Sequence, residues 1–167
     1  FRTREFTQAE LELFVEPGEE GPDLSGVADV RVPLYPIEAQ QNPDGEAVET
    51  TIGEAVAEGV LTDEWVAYYL GLAARWYRRI GLDTERFRFR QHLGGERAHY
   101  ASDCWDAEAE LGDGDDWREL AGFAYRSDYD LSKHAEYGDG GGRLQAGGPA
   151  HITSPAASGM VRLSSTT

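Results

Sequence analysis

The stretch Arg86-Phe-Arg-Phe-Arg-Gln-His92 places an arginine or a histidine at every second position. Successive side chains of a β-strand point to opposite faces of the sheet, so this period predicts a strand with Phe87, Phe89 and Gln91 on one face. The aromatic face needs an apolar cover, whereas the charged face needs water or opposite charges. We therefore expect a sheet that is apolar on one side and charged on the other.

The first fourteen residues show the same period. The even positions from Arg2 to Glu12 carry two guanidinium groups, an aromatic ring, an amide and two carboxylates, whereas the odd positions from Thr7 onward are mostly apolar. This alternation favours a strand, although Thr7 and Glu10 also resemble the capping box of a helix. The polar face of such a strand has groups that can hold a triphosphate, an adenine ring and an ammonium group. An exposed strand laced with salt bridges has the same groups.

The clearest helix is predicted between Thr62 and Gly81. Thr62 can cap its first turn, Asp63 and Glu64 suit its positive N-terminus, and Gly81 can end it. Its large apolar side chains recur at helical spacing, and we expect them to lie in the core. They are Trp65, Tyr68, Tyr69, Leu72, Trp76 and Ile80. A stacking surface for nucleic-acid bases at Trp76, beside the neighbouring arginines, is the alternative.

Five further stretches have the patterns of strands or helices. Strands are predicted over Val30–Tyr35, Arg97–Asp106 and Trp117–Gly122, and helices over Ile52–Glu58 and Ser127–Tyr137. Several strands with one charged face, separated by helices, predict an α+β domain built on an antiparallel sheet.

Charge limits the partners of the chain. Its 167 residues include 31 acidic and 15 basic side chains, which gives a formal net charge of -16, and Lys133 is the only lysine. Such an acidic surface is typical of proteins adapted to strong salt, because self-repulsion weakens the compact state at ordinary ionic strength. A generic acidic cytosolic protein is the alternative. A nucleic-acid partner would have to meet a local basic patch.

Cysteine count and hydropathy indicate the compartment. Cys104 is the single cysteine, which excludes an internal disulfide and a zinc cluster made of cysteines. No apolar run reaches the roughly 18 residues that a membrane span needs, so we expect a reducing, cytoplasmic setting. Because Phe1 is not an initiator residue, we also expect the chain to be part of a longer protein.

The remaining polar residues have plain interpretations. We expect Cys104 to be a small buried residue rather than a nucleophile, and we expect no metal site nearby because the histidines match no standard zinc spacing. Those histidines and their acidic neighbour are His92, His99, His134 and Asp103. A solvated acidic face is expected for the series Asp103, Asp106, Glu108 and Glu110.

Four stretches of the sequence belong together: Arg4–Phe14, Arg88–His92, Glu96–Glu110 and Trp117–His134. They resemble the glycyl-tRNA synthetases of the archaeal and eukaryotic type, which are class II aminoacyl-tRNA synthetases. The resemblance covers residues 1–137. It implies a class II catalytic core, an antiparallel sheet flanked by helices, that uses ATP to activate glycine and then transfers the glycine to tRNA(Gly). It also implies a homodimer in the full-length protein.

The resemblance assigns site residues as well. It implies that ATP is bound by Phe1, Arg2, Thr3, Arg4, Glu5, Phe6, Glu119 and Leu120. It implies that glycine is bound by Phe6, Thr7, Gln8, Ala9 and Glu10, with Glu10 receiving the ammonium group. In this pattern Phe6 stacks on adenine, Arg2 stabilises transition-state charge, and Glu119 lies near Mg2+ on the phosphates. No residue is expected to act as a general acid or base.

The chain also departs from the family pattern. The first half of motif 2 and all of motifs 1 and 3 are absent, and Tyr125 stands where the family usually has an aspartate, which puts the geometry beside Glu119 in doubt. Residues 138–167 are expected to be a disordered or non-homologous tail, such as a frameshift would produce. The alternative to an incomplete ligase is a catalytically dead paralogue that serves as a nucleotide-binding or interaction module.

Overall fold

A computed structural model of the chain describes residues 9–16, 20–95, 103–112 and 116–128, together with the backbone of residues 159–165. The described strands are β1 (Glu10–Val15), β2 (Arg31–Tyr35), β3 (Val48–Thr51), β4 (Phe87–Gln91), β5 (Asp103–Glu110), β6 (Trp117–Tyr125) and β7 (Gly159–Ser165). The described helices are α1 (Ile37–Gln40), α2 (Ile52–Ala57) and α3 (Glu64–Arg79), with 3-10 turns at Leu24–Gly26 and Thr84–Arg86.

The described strands form one sheet in the order β1-β7-β6-β5-β4-β2-β3. Neighbouring strands are antiparallel except for β2 and β4, which pair in parallel. A parallel pair needs a long crossover connection, and the chain between β2 and β4 passes through β3, α2 and α3. The predicted α+β class is confirmed, and every strand pair except β2–β4 is antiparallel.

One face of the sheet is apolar and packs against α2 and α3. Phe87 and Phe89 of β4 both lie on this face, where the Phe87 ring is 5.1 Å from that of Tyr77 in α3. Trp105 of β5 is fully buried beside them, and its indole N–H donates to the carboxylate of Asp103 at 2.8 Å. The strand predicted from the alternating stretch at residues 86–92 is therefore confirmed.

Helix α3 is present where the sequence predicts it, but it buries a different face. Leu72, Trp76 and Ile80 are exposed, by 37%, 55% and 57%, so the expectation that they lie in the core is wrong. The buried positions of the helix are Val66, Ala67, Leu70, Gly71, Ala74 and Tyr77. Small residues along this face let the helix backbone lie close to the sheet, and the larger side chains turn outward. Neither α3 nor any other described helix is long and apolar enough to cross a membrane.

The first turn of α3 is capped by Asp63 and not by Thr62. The Asp63 carboxylate accepts a hydrogen bond from the backbone N–H of Val66 at 2.9 Å, which satisfies one of the free donors at the helix N-terminus. The Thr62 hydroxyl instead donates to the buried carboxylate of Asp103 at 3.1 Å. The predicted cap is thus displaced by one residue, because the threonine has a tertiary partner in β5.

One segment of the C-terminal tail forms a strand. The backbone from Gly159 to Ser165 forms β7 between β1 and β6, and the disordered or non-homologous character expected for residues 138–167 as a whole stays a prediction. Without a strand in this position, β1 and β6 would each leave a row of backbone groups unpaired. The helix predicted over Ser127–Tyr137 lies almost wholly outside the described residues, so it stays a prediction.

Replacing Gly71 by alanine tests the close approach of α3. An added Cβ would come within 2.7 Å of the Cβ of Val27. Overpacking costs about 1–3 kcal/mol. This cost equals or exceeds the roughly 1 kcal/mol by which alanine favours a helix over glycine. We expect Gly71→Ala to lower the free energy of unfolding in urea titrations, whereas Leu72→Ala at the exposed neighbouring position changes it by less than about 0.5 kcal/mol. A Gly71→Ala protein more stable than the parent would contradict this packing.

Candidate functional site

The face of the sheet away from the helices carries charged side chains and is called here the polar face. One row of paired positions crosses it: Arg90 of β4 pairs with Asp106 of β5, Asp106 with Gly122 of β6, Gly122 with Ser164 of β7, and Ser164 with Glu10 of β1. Residues directly opposite each other in neighbouring strands share a face. Glu10 therefore belongs to the same face as Arg90 and Asp106, although it lies three strands away from Asp106.

Strands β4 and β5 are joined on the polar face by five side chains, Arg88, Glu108, Arg90, Asp106 and His92, which form a charge ladder. The two oxygens of Glu108 accept hydrogen bonds from Arg88 Nε at 2.8 Å and from Arg90 Nε at 2.9 Å. Arg90 Nη2 also lies 3.5 Å from the Asp106 carboxylate, and His92 Nε2 lies 2.6 Å from the same oxygen. Each carboxylate of the ladder thus contacts two cations.

The ladder corrects the expectation of a solvated acidic face. Asp103, Asp106 and Glu108 are only 2%, 5% and 8% exposed, because Asp106 and Glu108 are paired with the arginines of β4. Asp103 points the other way, into the core, where Trp105 donates to it. Buried carboxylates are tolerated when they are ionised and paired in this way.

Two aromatic rings hold the Arg88 end of the ladder. The Arg88 guanidinium lies over the ring of Trp117 at 4.0 Å and over the ring of Tyr35 at 4.6 Å. Contacts of a guanidinium with the faces of aromatic rings are attractive because of the ring quadrupole. Together with Glu108 they fix the side chain of Arg88 in one position.

His92 closes the other end of the ladder. The hydrogen bond to Asp106 raises the pKa of His92 to about 10, with a smaller contribution in the same direction from the side chain of Cys104. The imidazole is therefore protonated at neutral pH, and its charge balances the carboxylate of Asp106. Cys104 itself is partly exposed, which corrects the expectation that it is buried.

Glu119 reaches the polar face because of a β-bulge. Ala107 pairs with Ala121, but the next residue of β5, Glu108, pairs with Glu119, so Leu120 is an extra residue in β6. The bulge reverses the alternation and puts Glu119 beside Glu108, whereas Leu120 packs against the hydrophobic core. Although much of Glu119 is exposed, loss of water around its carboxyl group raises its pKa, and the charges of Asp106 and Glu108 act in the same direction.

The predicted site residues are only partly within the described chain. Phe1 to Gln8 lie outside the described residues, so the ATP-binding and glycine-binding roles expected there stay predictions. Ala9 and Glu10 are exposed, and Glu10 begins β1. Glu10 and Glu119 share the polar face, whereas the side chain of Leu120 lies toward the core. Tyr125, which pairs with Asp103, also packs against the core and therefore points away from Glu119.

Sequence reasoning missed the charge ladder. The signal was available, because the arginines of residues 86–92 and the carboxylates of residues 103–110 alternate with the same period and opposite charge. Two such strands placed side by side are stabilised by cross-strand pairs. Their register, which decides the pairs, cannot be read from either stretch alone.

Glu108→Gln tests whether the ladder holds the polar face together. The change leaves the partly buried guanidinium groups of Arg88 and Arg90 without a shared counter-charge, and breaking a buried ion pair in this way costs about 3–5 kcal/mol. Urea unfolding measures the loss. The matched control is Arg118→Gln, which breaks the exposed Arg118–Asp116 pair and is expected to cost less than about 1 kcal/mol. Equal losses in the two variants would show that the ladder adds nothing.

The raised pKa of His92 predicts how stability depends on pH. Protonated His92 faces Asp106 and Cys104 of β5, Arg90 of β4 and Glu119 of β6. Its pKa is about 10 in the folded state and about 6.5 in an unfolded chain, so its stabilising effect is complete below pH 6.5 and is lost as the pH rises towards 10. The stability difference between the parent and His92→Gln should therefore be larger at about pH 6 than at about pH 9. A difference that is constant over this range would mean that folding does not change the pKa of His92.

Comparison with known proteins identifies the family. No family model matches the chain. The chain is 46% identical over 136 residues to a putative cytoplasmic glycine–tRNA ligase of Arabidopsis thaliana, covering 81% of this chain and 29% of that protein. It is 46% identical over 134 residues to a glycine–tRNA ligase of Methanothrix thermoacetophila, covering 80% of this chain and 23% of that protein. It is 38% identical over 136 residues to the mitochondrial glycine–tRNA ligase 1 of Saccharomyces cerevisiae, covering 81% of this chain and 19% of that protein.

These relatives confirm the resemblance found in the motifs. The chain spans less than a third of the length of each of the three relatives, and the match extends over about four-fifths of the chain itself. Because archaeal and eukaryotic proteins of the same name match the same large share of it, this chain belongs to the glycine–tRNA ligase family.

Proposed function

We propose that this chain supplies part of the adenylate-forming site of a glycine–tRNA ligase, an enzyme that activates glycine with ATP and transfers it to tRNA(Gly). One observation carries the proposal. Glu10 and Glu119, which family resemblance assigns to glycine and to the ATP side, lie on the same polar face, and a register row runs from Glu10 to Asp106 beside Glu119. These two carboxylates are 109 residues apart in the sequence, and they share this face because β1 and β6 both pair with β7.

The glycine site is proposed at the start of β1. Glu10 is exposed there, and its carboxylate is the proposed acceptor for the ammonium group of glycine. The preceding residues line the rest of the small pocket in this proposal; they are Phe6, Thr7, Gln8 and Ala9. A charge-assisted hydrogen bond between ammonium and carboxylate gives both affinity and orientation.

The ATP site is proposed on the residues that lead into β1. Phe6 stacks on adenine and Arg2 stabilises charge at the α-phosphorus. The other residues of this segment line the nucleotide; they are Phe1, Thr3, Arg4 and Glu5. Leu120 contributes through its backbone only, because its side chain packs against the core.

The proposed first step needs no general acid or base. A carboxylate oxygen of glycine attacks the α-phosphorus of ATP, the bond from that phosphorus to the bridging oxygen breaks, and pyrophosphate leaves with the electron pair. No proton is transferred, so catalysis depends on in-line positioning and on the charge stabilisation that Arg2 supplies. In the second step the hydroxyl of the terminal adenosine of tRNA(Gly) attacks the glycyl carbonyl carbon, and the bond from that carbon to the phosphate oxygen breaks. AMP leaves with the electron pair, and the hydroxyl proton is released to solvent.

Glu119 is the proposed ligand of Mg2+ on the phosphates of ATP. Loss of water around its carboxyl group raises its pKa; Asp106 and Glu108 act in the same direction, and His92 and Arg90 oppose them. One carboxylate together with phosphate oxygens is a common ligand set for Mg2+ in ATP sites. When bound, Mg2+ would neutralise phosphate oxygens and fix their orientation. The residues present therefore fit the ion.

The proposal also covers the oligomeric state, the cellular location and the salt adaptation of the enzyme. We infer a homodimer in the full-length protein and a cytoplasmic location, which is the location named for the Arabidopsis relative. The net charge of -16 supports adaptation to strong salt. Assays are accordingly designed at high salt.

Glycine-dependent exchange of ATP and pyrophosphate tests the proposed function. The assay is run in high salt with Mg2+ on the chain alone and on a protein completed to the length of its relatives. We expect exchange only in the completed protein, because the chain spans less than a third of the length of these relatives. Exchange in neither protein, with both folded, would instead favour the catalytically dead paralogue.

Glu10→Gln in the completed protein tests the residue assignment. Loss of the partner of the glycine ammonium should raise the KM for glycine roughly 100-fold, since an unpaired charge in a binding site costs about 2–5 kcal/mol. Glu12→Gln is the matched control, because it makes the same change two residues along β1, and its KM should stay close to that of the parent. A similar KM in all three proteins would remove Glu10 from the glycine site.

A further inference from the structure

Three side chains of different ligand chemistry meet at the His92 end of the charge ladder. An imidazole nitrogen of His92, the sulfur of Cys104 and a carboxylate oxygen of Asp106 all lie within 4.8 Å of one another. The backbone N–H of His92 donates to the carbonyl of Cys104 at 3.0 Å, so these two residues face each other across the strands. Asp106 follows two residues along β5 on the same face. His92 directly follows the last residue of β4, and its hydrogen bond to Cys104 continues the pairing with β5 by one residue.

One nitrogen of the His92 ring has a partner and the other has none. Nε2 is bonded to Asp106 at 2.6 Å, whereas Nδ1 is buried and has no hydrogen-bond partner in the part of the chain that the structure describes. Buried polar atoms are nearly always paired, so an unpaired ring nitrogen points to a ligand. A carboxylate on the second nitrogen is also the arrangement that orients metal-binding histidines in proteins.

Cys104 supplies a sulfur ligand. It is the single cysteine of the chain, and the residue as a whole is partly exposed. Thiolate and imidazole ligands select ions such as Zn2+ and Co2+ over Mg2+, which prefers oxygen. The cluster thus differs in chemistry from the magnesium ligand proposed at Glu119.

We propose that His92, Cys104 and Asp106 form a binding site for a thiophilic divalent cation, with Zn2+ as the ion it fits best. Cys104 Sγ and His92 Nδ1 are the protein ligands, Asp106 orients the imidazole through Nε2, and water completes four-coordination. The ion replaces the thiol proton of Cys104 and the proton on Nδ1, and both protons are released to solvent. The site does not depend on the proposed ligase function.

The proposal replaces the expectation that no metal binds near Cys104. That expectation was based on spacing along the chain, where Cys104 and Asp106 are two residues apart and His92 precedes them by twelve and fourteen residues. Standard zinc patterns place ligands in short loops at both ends of the site. Here the pairing of β4 with β5 brings the ligands together, which a spacing rule does not detect.

Cobalt is the probe that tests the site. The full 167-residue chain, folded in high salt, is titrated with Co2+ and its near-ultraviolet absorption is recorded. A sulfur-to-cobalt charge-transfer band can come only from Cys104, since the chain has no other cysteine. We expect the band to saturate at one equivalent, to disappear when Zn2+ is added, and to persist in excess Mg2+. A folded chain that shows no such band would overturn the proposal.

Variants separate the two protein ligands from the orienting residue. Cys104→Ser should abolish the band, and Asp106→Asn should weaken Co2+ binding about 10–100-fold, as loss of an orienting carboxylate does. Glu110→Gln is the matched control, because it removes a carboxylate from the same face of β5, and it should bind Co2+ like the parent. Near-ultraviolet circular dichroism verifies that each variant is folded. A folded Cys104→Ser protein that binds Zn2+ as tightly as the parent would also overturn the proposal.

A second measurement keeps the test independent of the variants. Zn2+ should slow the alkylation of Cys104 by iodoacetamide in the parent chain, because a coordinated sulfur is a poorer nucleophile, and Mg2+ at the same concentration should not. Equal alkylation rates with and without Zn2+ would count against the site even if the Asp106→Asn protein failed to fold.

Discussion

The bridge that Glu108 makes between Arg88 and Arg90 is the interaction on which the polar face depends. Both carboxylate oxygens are used, at 2.8 and 2.9 Å, and only 8% of the residue is exposed. Taking charges this far from water costs several kcal/mol per ion unless they are paired. The aromatic rings on the other face of β4 seal the core, so the arginines can only lie on the polar side, and Glu108 makes their partial burial there tolerable.

The periodicity of the sequence predicted the elements of the fold better than their faces. The alternation in residues 86–92 predicted β4 and its apolar side, and the limits of α3 were predicted to within a few residues. The buried side of α3 was not predicted, because large side chains such as Trp76 gave the stronger hydrophobic signal. The helix instead packs through Ala67, Gly71 and Ala74, since small residues allow the closest approach of its backbone. The distance between the helix and the sheet depends on the side chains of both. The sequence of the helix alone therefore cannot predict it.

The sequence likewise predicted some features of the candidate site and not others. Motif resemblance placed Glu10 and Glu119 in one site, and the strand register puts both on the polar face. The ladder beside them could not be predicted, because an acidic residue in an alternating strand looks solvated until its neighbour strand is known. Glu108 meets arginines that precede it by eighteen and twenty residues. The register of β4 against β5 decides that these acidic residues form buried ion pairs with the arginines.

The β-bulge at Leu120 determines what the Tyr125 substitution can do. Because the extra residue reverses the alternation, Glu119 faces the polar side, whereas Phe123 and Tyr125 at the far end of β6 share the core side. Burial raises the pKa of Tyr125, so its phenol stays neutral and packs as a largely apolar group. The side chain at this position therefore lies across the sheet from Glu119, and the bulge, which precedes it by five residues, sets the direction of the Glu119 carboxylate. The geometry proposed for the ATP side thus depends on the bulge and not on a carboxylate at residue 125.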